Sequence, residues 1–302
     1  MTDFLSPYIQ SLKKISQLKT KVTVVADASN GSEGPILERF PDARLDLLVV
    51  NGKPDGNFPA HGPDPSLPAA RRAVGEEVKK SRADFGVLFD ADGDRALFFD
   101  EEGAYIPVDE VALLLAESFE PPYILDVRVG QIFSQEKVVR SRVGHYFLKQ
   151  LMKRRKAEFG AEGSGHFYFR FDFETGPAYF DSGLRAMLEF ANRVSELKMN
   201  GQTLSSYLNS FPQFFRSGEL NFKVKDSAGL MREVEEIYKK RRGKISRTDG
   251  ITLTFPKEGW WFNLRPSNTQ SLLRLNMESS DPKRLTEELT KLKKCIISLD
   301  KG

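Results

Sequence analysis

Apolar residues along this chain alternate between the spacing of helices and that of buried strands. Residues 4–18 repeat apolar side chains at helical spacing, and Val22 to Ala26 form a short, continuous apolar run. Strand-like runs follow at Leu45 to Val50 and Phe85 to Phe89, with a helical segment at 67–81 between them. This strand and helix order favours a parallel sheet covered by helices, with ligands at the carboxyl ends of its strands.

The alternation then restarts, and it changes character near residue 200. In the second stretch we expect a strand at Phe167 to Phe171, a loop, and then a helix at Gly183 to Leu197. Beyond it, paired strands near 250–264 and 271–278 precede a final helix. The predicted fold class is α/β, with two consecutive three-layer α/β units followed by a C-terminal α+β domain that has helices on one side of an antiparallel sheet. The expected domain limits are 1–102, 103–200 and 201–302.

Three aspartates stand at alternate positions directly after the third apolar run. Asp90, Asp92 and Asp94 would repel one another unless a cation lies among them, and Gly93 lets the chain turn tightly enough to gather them. Hard oxygen ligands of this kind suit Mg²⁺ or Ca²⁺. Arg95 follows at once, and a phosphate is its natural partner. The run therefore indicates a site for a metal and a phosphate.

Three other interpretations of the acidic run stay open. Asp and Gly are ordinary turn residues, so a solvated acidic turn is possible. An EF-hand loop would place Glu101 at its twelfth position, but the Gly required at the sixth is Arg95, and the flanks are strand-like. A phosphatase with Asp90 as nucleophile is the third, although the segment after Asp94 continues as an apolar strand rather than a loop and helix.

Composition narrows the class of protein. The 302 residues include 45 basic and 42 acidic side chains, a net charge of +3, which gives no signature of nucleic-acid or membrane binding. Cys295 is the single cysteine, so an intramolecular disulfide and a cysteine-rich zinc site are excluded. No apolar stretch approaches membrane-spanning length and no signal-peptide core is evident, so we expect a cytoplasmic protein.

A glycine-rich polar turn provides a second group of candidate residues. Two glycines bracket Ser164, and Glu162 and His166 flank them, which brings three polar side chains into a small volume. A carboxylate, a hydroxyl and an imidazole suit a polyol, whose hydroxyl groups need donors and acceptors. The three histidines, His61, His145 and His166, each lie beside a glycine, where an imidazole is a candidate general acid or base. An ordinary loop is the competing interpretation.

A third group of polar residues lies between the last two predicted strands. It contains two guanidinium groups, two hydroxyls and an amide within ten positions, a composition typical of a phosphate cradle. A turn between two hairpin strands explains the same residues equally well. The residues concerned are Arg265, Ser267, Asn268, Thr269 and Arg274.

Together, the three motifs resemble the α-D-phosphohexomutase family, which includes phosphomannomutase and phosphoglucomutase. The motifs occur in the family's order and at about its spacing, in its second, third and fourth domains. Weaker stretches match as well: Val25 to Gly31, Asp55 to Pro59, Pro63 to Pro65 and Arg142 to His145. The resemblance covers essentially the whole chain.

The resemblance implies roles for particular residues. Asp90, Asp92 and Asp94 would hold Mg²⁺, with Arg95 beside the transferring phosphate. Glu162 and Ser164 would hold sugar hydroxyls, with His166 beside them. The non-reacting phosphate would be held by Arg265, Ser267, Asn268 and Thr269, with Arg274 on the following strand. Arg128 and His145 fall where the family has a basic residue and a histidine that move protons at the reacting hydroxyl.

The chain also departs from the family's pattern. The family begins with a further domain whose phosphorylated serine lies in a Thr-Ala-Ser-His-Asn-Pro-like loop, and no such loop occurs here. Gln270-Ser271 stand where Glu-Pro is usual, and Ala91 stands where glycine is usual. The missing serine leaves the phosphoryl donor unassigned.

The leading functional hypothesis is a hexose-phosphate mutase that moves a phosphoryl group between the 1- and 6-positions of mannose or glucose. We expect the phosphoserine domain to be lost from the chain or supplied by a separate polypeptide, and we expect that partner or self-association to cover the surface its absence exposes. Two alternatives remain: a sugar-phosphate-binding protein without catalysis, and the Mg²⁺-dependent phosphatase that uses Asp90.

Overall fold

The computed structural model describes residues 5–130, 135–267 and 272–301. The described residues form two compact units. The first unit takes its residues from 1–124, 133–139 and 149–211, and the second from 125–132, 140–148 and 212–302. No described helix is both long and apolar enough to cross a membrane.

The first sheet has five strands in the order β2-β1-β3-β4-β5. Its strands are β1 (Val22–Asp27), β2 (Leu45–Val50), β3 (Phe85–Phe89), β4 (Ala96–Phe99) and β5 (Tyr105–Ile106). Three helices belong to the same region: α1 (Leu5–Lys13), α2 (Gly34–Leu37) and α3 (Pro68–Ser81). The central strand β1 runs parallel to β2 and β3, which confirms the predicted parallel core. Strands β4 and β5 extend the sheet in antiparallel fashion, because tight turns rather than helices precede them.

The second sheet has the strand order β10-β9-β8-β6-β7. Its strands are β6 (Tyr123–Asp126), β7 (Val138–Ser141), β8 (Phe159–Ala161), β9 (Phe167–Phe173) and β10 (Gly176–Asp181). The helices of this region are α4 (Val108–Ala116), α5 (His145–Arg155), α6 (Gly183–Met199) and α7 (Leu204–Leu208), and a short 3₁₀ turn covers Gln135–Lys137.

The loop predicted between Phe171 and Gly183 is wrong. Strand β9 continues to Phe173, and β10 pairs with it in antiparallel register. Gly176, with φ of +109°, closes the turn between them. The short polar segment around Glu174 is therefore the turn of a β-hairpin and not the start of a loop.

Aromatic packing joins helix α6 to strands of both sheets inside the first unit. The ring of Phe190 on α6 stacks on that of Phe98 in β4 at 4.5 Å and meets that of Phe85 in β3 edge-on at 4.9 Å. Phe98 also meets Phe167 of β9 at 6.0 Å. All four side chains are fully buried. This packing brings β4 of the first sheet close to the start of β9 of the second.

The C-terminal sheet is wholly antiparallel, with the order β11-β16-β15-β14-β13 and with β12 also paired to β16. Its strands are β11 (Phe215–Arg216), β12 (Leu220–Lys223), β13 (Lys244–Ser246), β14 (Ile251–Phe255), β15 (Trp260–Pro266) and β16 (Leu272–Ser279). Its helices are α8 (Ser227–Lys239) and α9 (Pro282–Lys301). The core packs Val234 of α8 and Leu292 of α9 against apolar residues of the strands, including Phe262. The predicted fold class is confirmed.

Candidate active site

The acidic run lies at the carboxyl end of β3, as the sequence predicts. Asp90 follows the last residue of this fully buried strand and is 2% exposed, whereas Asp92 is exposed and Asp94 is half-buried. One carboxylate oxygen from each aspartate lies within 4.8 Å of those of the other two. Three hard oxygen donors at this separation can hold a divalent cation.

The shape of the acidic loop depends on its neighbours. Gly93 has φ of +71°, and a Cβ there would lie 1.7 Å from Oε1 of Glu33. The backbone N–H of Ser32 donates to the carbonyl of Ala91 at 2.9 Å, and that of Gly183 donates to the carbonyl of Gly93 at 3.0 Å. The turn after β1 and the start of α6 therefore hold the loop from two sides.

Arg95 is paired inside the same loop. Its Nε donates to Asp90 Oδ2 at 2.6 Å, its backbone N–H donates to Oδ1 at 3.2 Å, and its Nη1 lies 3.6 Å from Asp64 Oδ1. Burial raises the pKa of Asp90, while the hydrogen bonds and charge of Arg95 oppose that rise. The arginine expected to face a phosphate is thus also the counter-ion of the most buried aspartate.

The glycine-rich turn brings its three polar side chains together. His166 Nδ1 lies 2.8 Å from Ser164 Oγ and 3.5 Å from Glu162 Oε2. Glu162 is 2% exposed and accepts a hydrogen bond from the hydroxyl of Tyr168 at 2.7 Å. Gly165, with φ of +94°, closes the turn through its N–H bond to the carbonyl of Glu162 at 3.0 Å. Carboxylate, hydroxyl and imidazole groups therefore share one small volume.

The acidic loop and the glycine-rich turn meet directly. The N–H of Ala96 donates to the carbonyl of Gly165 at 3.0 Å, and Arg95 forms an isolated antiparallel bridge with His166. His166 Nε2 lies 3.4 Å from Asp94 Oδ1. This hydrogen bond is the main cause of the lowered pKa of Asp94. The acidic run and the glycine-rich turn are thus joined through one imidazole.

The second unit holds the arginine-containing group. Arg265 and Arg274 lie directly opposite each other on β15 and β16. Arg274 Nη2 donates to Ser267 Oγ at 3.2 Å, and Arg265 Nη2 donates to Glu219 Oε2 at 2.7 Å. Asn268 and Thr269, predicted in the same cradle, fall outside the described residues.

Arg128 and His145 also belong to the second unit. Arg128 donates from Nε and Nη2 to Asp126 Oδ2, at 2.8 and 2.6 Å. The half-buried Arg140 donates to the backbone carbonyl of Asp126 at 3.1 Å, which fixes the turn that carries Arg128. His145 is the first residue of α5. Two positions earlier, the N–H of Val143 donates to Asp249 Oδ2 at 3.1 Å.

Several neighbours of these groups were not predicted as site residues. In the first unit they are Glu33, Asp64 and Tyr168, and in the second they are Asp126, Glu219 and Asp249. Asp126 could have been predicted from the sequence, because it is the last residue of an apolar strand. Glu33 and Asp64 lie in loops whose sequences specify turns but not what the turns approach.

Models of three successive domains of one protein family match the chain. They describe phosphoglucomutase/phosphomannomutase alpha/beta/alpha domain II (residues 6–103), alpha/beta/alpha domain III (133–215) and the C-terminal domain (219–294). Two similar proteins are named phosphomannomutase. The one from Methanocaldococcus jannaschii is 36% identical over 95% of this chain, and the one from Escherichia coli is 36% identical over 96%. The chain spans 63% and 64% of the lengths of these two relatives.

Solved structures agree with the assignment. A phosphoglucomutase/phosphomannomutase family protein from Burkholderia thailandensis superposes with a TM-score of 0.85 and 25% identity, covering 98% of this chain and 64% of that one. The N-acetylphosphoglucosamine mutase of Aspergillus fumigatus, solved with GlcNAc-6P and magnesium, shares the fold at a TM-score of 0.67 and 16% identity, covering 98% of this chain and 65% of that one. The domain matches and the identity to these relatives show that the chain belongs to the phosphoglucomutase/phosphomannomutase family.

Proposed function

We propose that this chain carries the metal, sugar and distal-phosphate sites of a hexose-phosphate mutase acting on mannose or glucose phosphate. The observation that carries the proposal is the meeting of the acidic loop with the glycine-rich turn, where His166 lies 3.4 Å from Asp94 and 2.8 Å from Ser164. A transferring phosphoryl group must lie between a charge-neutralising site and the sugar hydroxyl that receives it. These two loops offer that arrangement.

Mg²⁺ is the metal that we propose for Asp90, Asp92 and Asp94. The fit rests on the donor set, three carboxylates with oxygens within 4.8 Å of one another. A bound Mg²⁺ would supply positive charge beside the phosphoryl oxygens. Asp90, Asp92 and Asp94 would each offer a carboxylate oxygen to the cation. Arg95 would hold Asp90 in place and would itself face the phosphate.

At the sugar, Glu162 and Ser164 would accept and donate hydrogen bonds to hydroxyl groups. The hydroxyl of Tyr168 holds Glu162 Oε2, which orients the carboxylate. His166, beside Ser164, is our candidate for proton movement at the reacting hydroxyl. By their positions in the family, His145 and Arg128 are further candidates for that role. Arg265, Ser267 and Arg274 would hold the distal phosphate, together with Asn268 and Thr269.

The phosphoryl donor in this proposal is a phosphoserine-bearing domain that acts together with these three sites. A phosphatase that uses Asp90 as nucleophile has less support, because Asp90 is buried and its Oδ2 already accepts a hydrogen bond from Arg95.

Calorimetric titration with mannose 6-phosphate and glucose 6-phosphate, with and without Mg²⁺, tests the binding part of the proposal. We expect the wild-type chain to bind a hexose phosphate. Glu162→Gln should weaken that binding by about ten- to hundredfold, since one lost charged hydrogen bond is worth about 1.5–3 kcal/mol. Glu174→Gln, in the exposed turn between β9 and β10, is the matched control. No binding by the wild-type chain, or equal affinity in Glu162→Gln, would contradict the sugar site.

A further inference from the structure

Two arginines face each other across neighbouring strands of the C-terminal sheet. Arg265 of β15 is the direct register partner of Arg274 of β16. Like charges directly opposite on one face of a sheet destabilise it. The pair therefore needs a counter-charge, which makes it a candidate site for an anion.

Glu219, which immediately precedes β12, supplies that counter-charge. Its Oε2 accepts a hydrogen bond from Arg265 Nη2 at 2.7 Å, and its Oε1 lies 3.2 Å from Arg274 Nη1. Asn276 Nδ2 lies 3.5 Å from the same Oε2. The side chain of Glu219 is 29% exposed. One carboxylate thus bridges two guanidinium groups and still reaches solvent.

The bridge leaves part of each arginine unsatisfied. Arg265 is 2% exposed, yet neither its Nε nor the buried Nε of Arg274 has a hydrogen-bond partner among the described residues. Burial lowers the pKa of Arg265, and the nearby guanidinium groups of Arg128 and Arg274 act in the same direction. Buried donors without partners are costly, so a further anion is favoured here.

We propose that Glu219 is the resident counter-ion of this arginine pair and thereby sets its affinity for phosphate. The inference rests on the proposed function, in which the Arg265 cradle takes the distal phosphate. Glu219 stabilises the protein without phosphate, and its negative charge repels an incoming phosphate. Because both anions bind the same two cations, each weakens the hold of the other, and the coupling is reciprocal.

This role has a consequence for turnover. Two opposed arginines without a counter-ion would hold a phosphate dianion tightly and release it slowly. A mutase that accepts the phosphate at either position of the sugar must also let its product go. A resident carboxylate lowers the affinity to a range in which release is fast.

The test compares Glu219→Gln with Glu258→Gln. Glu258 also bridges two arginines of the second unit, Arg241 and Arg284, and its side chain is 32% exposed. It lies beyond the opposite end of β15 from Arg265. The two variants make the same chemical change in equivalent settings, and only one of them is at the proposed cradle.

Titration with inorganic phosphate, together with thermal unfolding, gives the readout. We expect Glu219→Gln to unfold at a lower temperature than wild type without phosphate, and to bind phosphate about tenfold more tightly, a coupling of about 1.4 kcal/mol. Phosphate should raise its unfolding temperature more than that of wild type. Glu258→Gln should lose stability but keep the wild-type phosphate affinity.

Arg265→Ala separates failure of the inference from failure of the cradle. If Arg265→Ala abolishes phosphate binding while Glu219→Gln binds no more tightly than wild type, Glu219 is not the affinity-setting counter-ion. If the wild-type protein binds no phosphate, both the cradle and the inference are overturned. They are overturned equally if Arg265→Ala binds phosphate as tightly as wild type. Should Glu219→Gln fail to fold alone, added phosphate is expected to restore its folded signal, and lack of rescue would count against the proposal.

Discussion

The three carboxylates after β3 have different surroundings although their sequence positions are equivalent. Asp90 is buried against Arg95, Asp94 is held by His166, and Asp92 is exposed. Alternate spacing after an apolar strand was enough to predict that they cluster. Their individual partners could not be predicted, because those partners come from segments up to about 70 positions away, a separation that strand periodicity does not address.

Asp92→Asn should weaken Mg²⁺ binding by at least about tenfold, because affinity for the cation depends on the number of charged oxygen ligands. Since Asp92 is exposed, the free energy of unfolding of the variant protein should differ from that of wild type by no more than about 0.5 kcal/mol. Calorimetry with Mg²⁺ alone measures the affinity. The control is Asp46→Asn, a half-buried carboxylate of β2 that pairs with Lys21. Equal Mg²⁺ affinity in both variants would remove Asp92 from the metal site.

Glu33 gives a prediction about pH. Burial raises the pKa of its carboxyl from 4.5 to about 7, with Asp90 and Asp92 adding to the rise against a hydrogen bond from Ser32. The folded protein therefore holds this proton at pH values where the unfolded chain has lost it. The stability linked to the neutral carboxyl is complete below pH 4.5 and is lost as pH rises to about 7.

Glu33→Gln, which stays uncharged, should escape this loss. Measured by denaturant unfolding in EDTA, its stability relative to wild type should rise between pH 4.5 and 7 and then level off, by on the order of 3 kcal/mol at most. Glu236→Gln, an exposed carboxylate of α8, should run parallel to wild type. A difference between Glu33→Gln and wild type that is independent of pH would refute the assignment.

At the scale of elements, the start of α6 shapes the acidic loop. Ser182 caps this helix by accepting a hydrogen bond from the N–H of Arg185. A Cβ on Gly183 would lie 2.7 Å from the carbonyl oxygen of Gly93 and 3.1 Å from that of Arg95. The helix was predicted at nearly its true limits from periodicity and its glycine start. Its approach to the loop depends on tertiary packing of Phe190, which periodicity does not specify.

Gly183→Ala should therefore displace the acidic loop. We expect a loss of stability of about 1–3 kcal/mol, as for other overpacked sites, and weaker Mg²⁺ binding. Gly56→Ala is the control, because a Cβ at Gly56 has no neighbour within 4 Å. Thermal unfolding and Mg²⁺ titration of both variants check the prediction, which fails if Gly183→Ala behaves like its control.

Strand β10 shows where pattern alone misleads. The sequence analysis predicted a loop here, but the segment forms a strand in which no residue is fully buried. It also contains Pro177, which has no N–H to donate to a neighbouring strand. Strand β10 lies at the edge of its sheet, so its outer edge forms no hydrogen bonds with a neighbouring strand. A proline, which lacks an N–H, is tolerated in such a strand. Pairing with β9 supplies the order that local sequence does not.

At the scale of the whole molecule, the fold class followed from the order of strand-like and helical segments. The division of the described residues into two units could not be predicted in this way. Residues 125–132 and 140–148 belong to the same unit as the C-terminal sheet, whereas the chain segments next to them belong to the first unit. The proposed metal and sugar residues belong to the first unit, and the proposed phosphate cradle to the second.

Hydrogen exchange should report these two sites separately. Mg²⁺ should protect amides at 90–96 and 162–166, where the acidic loop and the glycine-rich turn share backbone hydrogen bonds. Inorganic phosphate should protect amides around 217–223 and 263–267. Both ligands protecting one and the same set of amides would contradict the assignment of sites to units.

We propose that this chain supplies the metal, sugar and distal-phosphate sites for hexose-phosphate mutase chemistry. The most direct measurement is ³¹P NMR of mannose 1-phosphate and glucose 1-phosphate incubated with Mg²⁺, this chain and a separately produced phosphoserine-bearing first domain of a relative. We predict that one 1-phosphate converts to its 6-phosphate, and that conversion is lost in Asp92→Asn. Absence of conversion of either sugar under these conditions, with the first domain shown to be phosphorylated and Mg²⁺ shown to be bound, would contradict the claim.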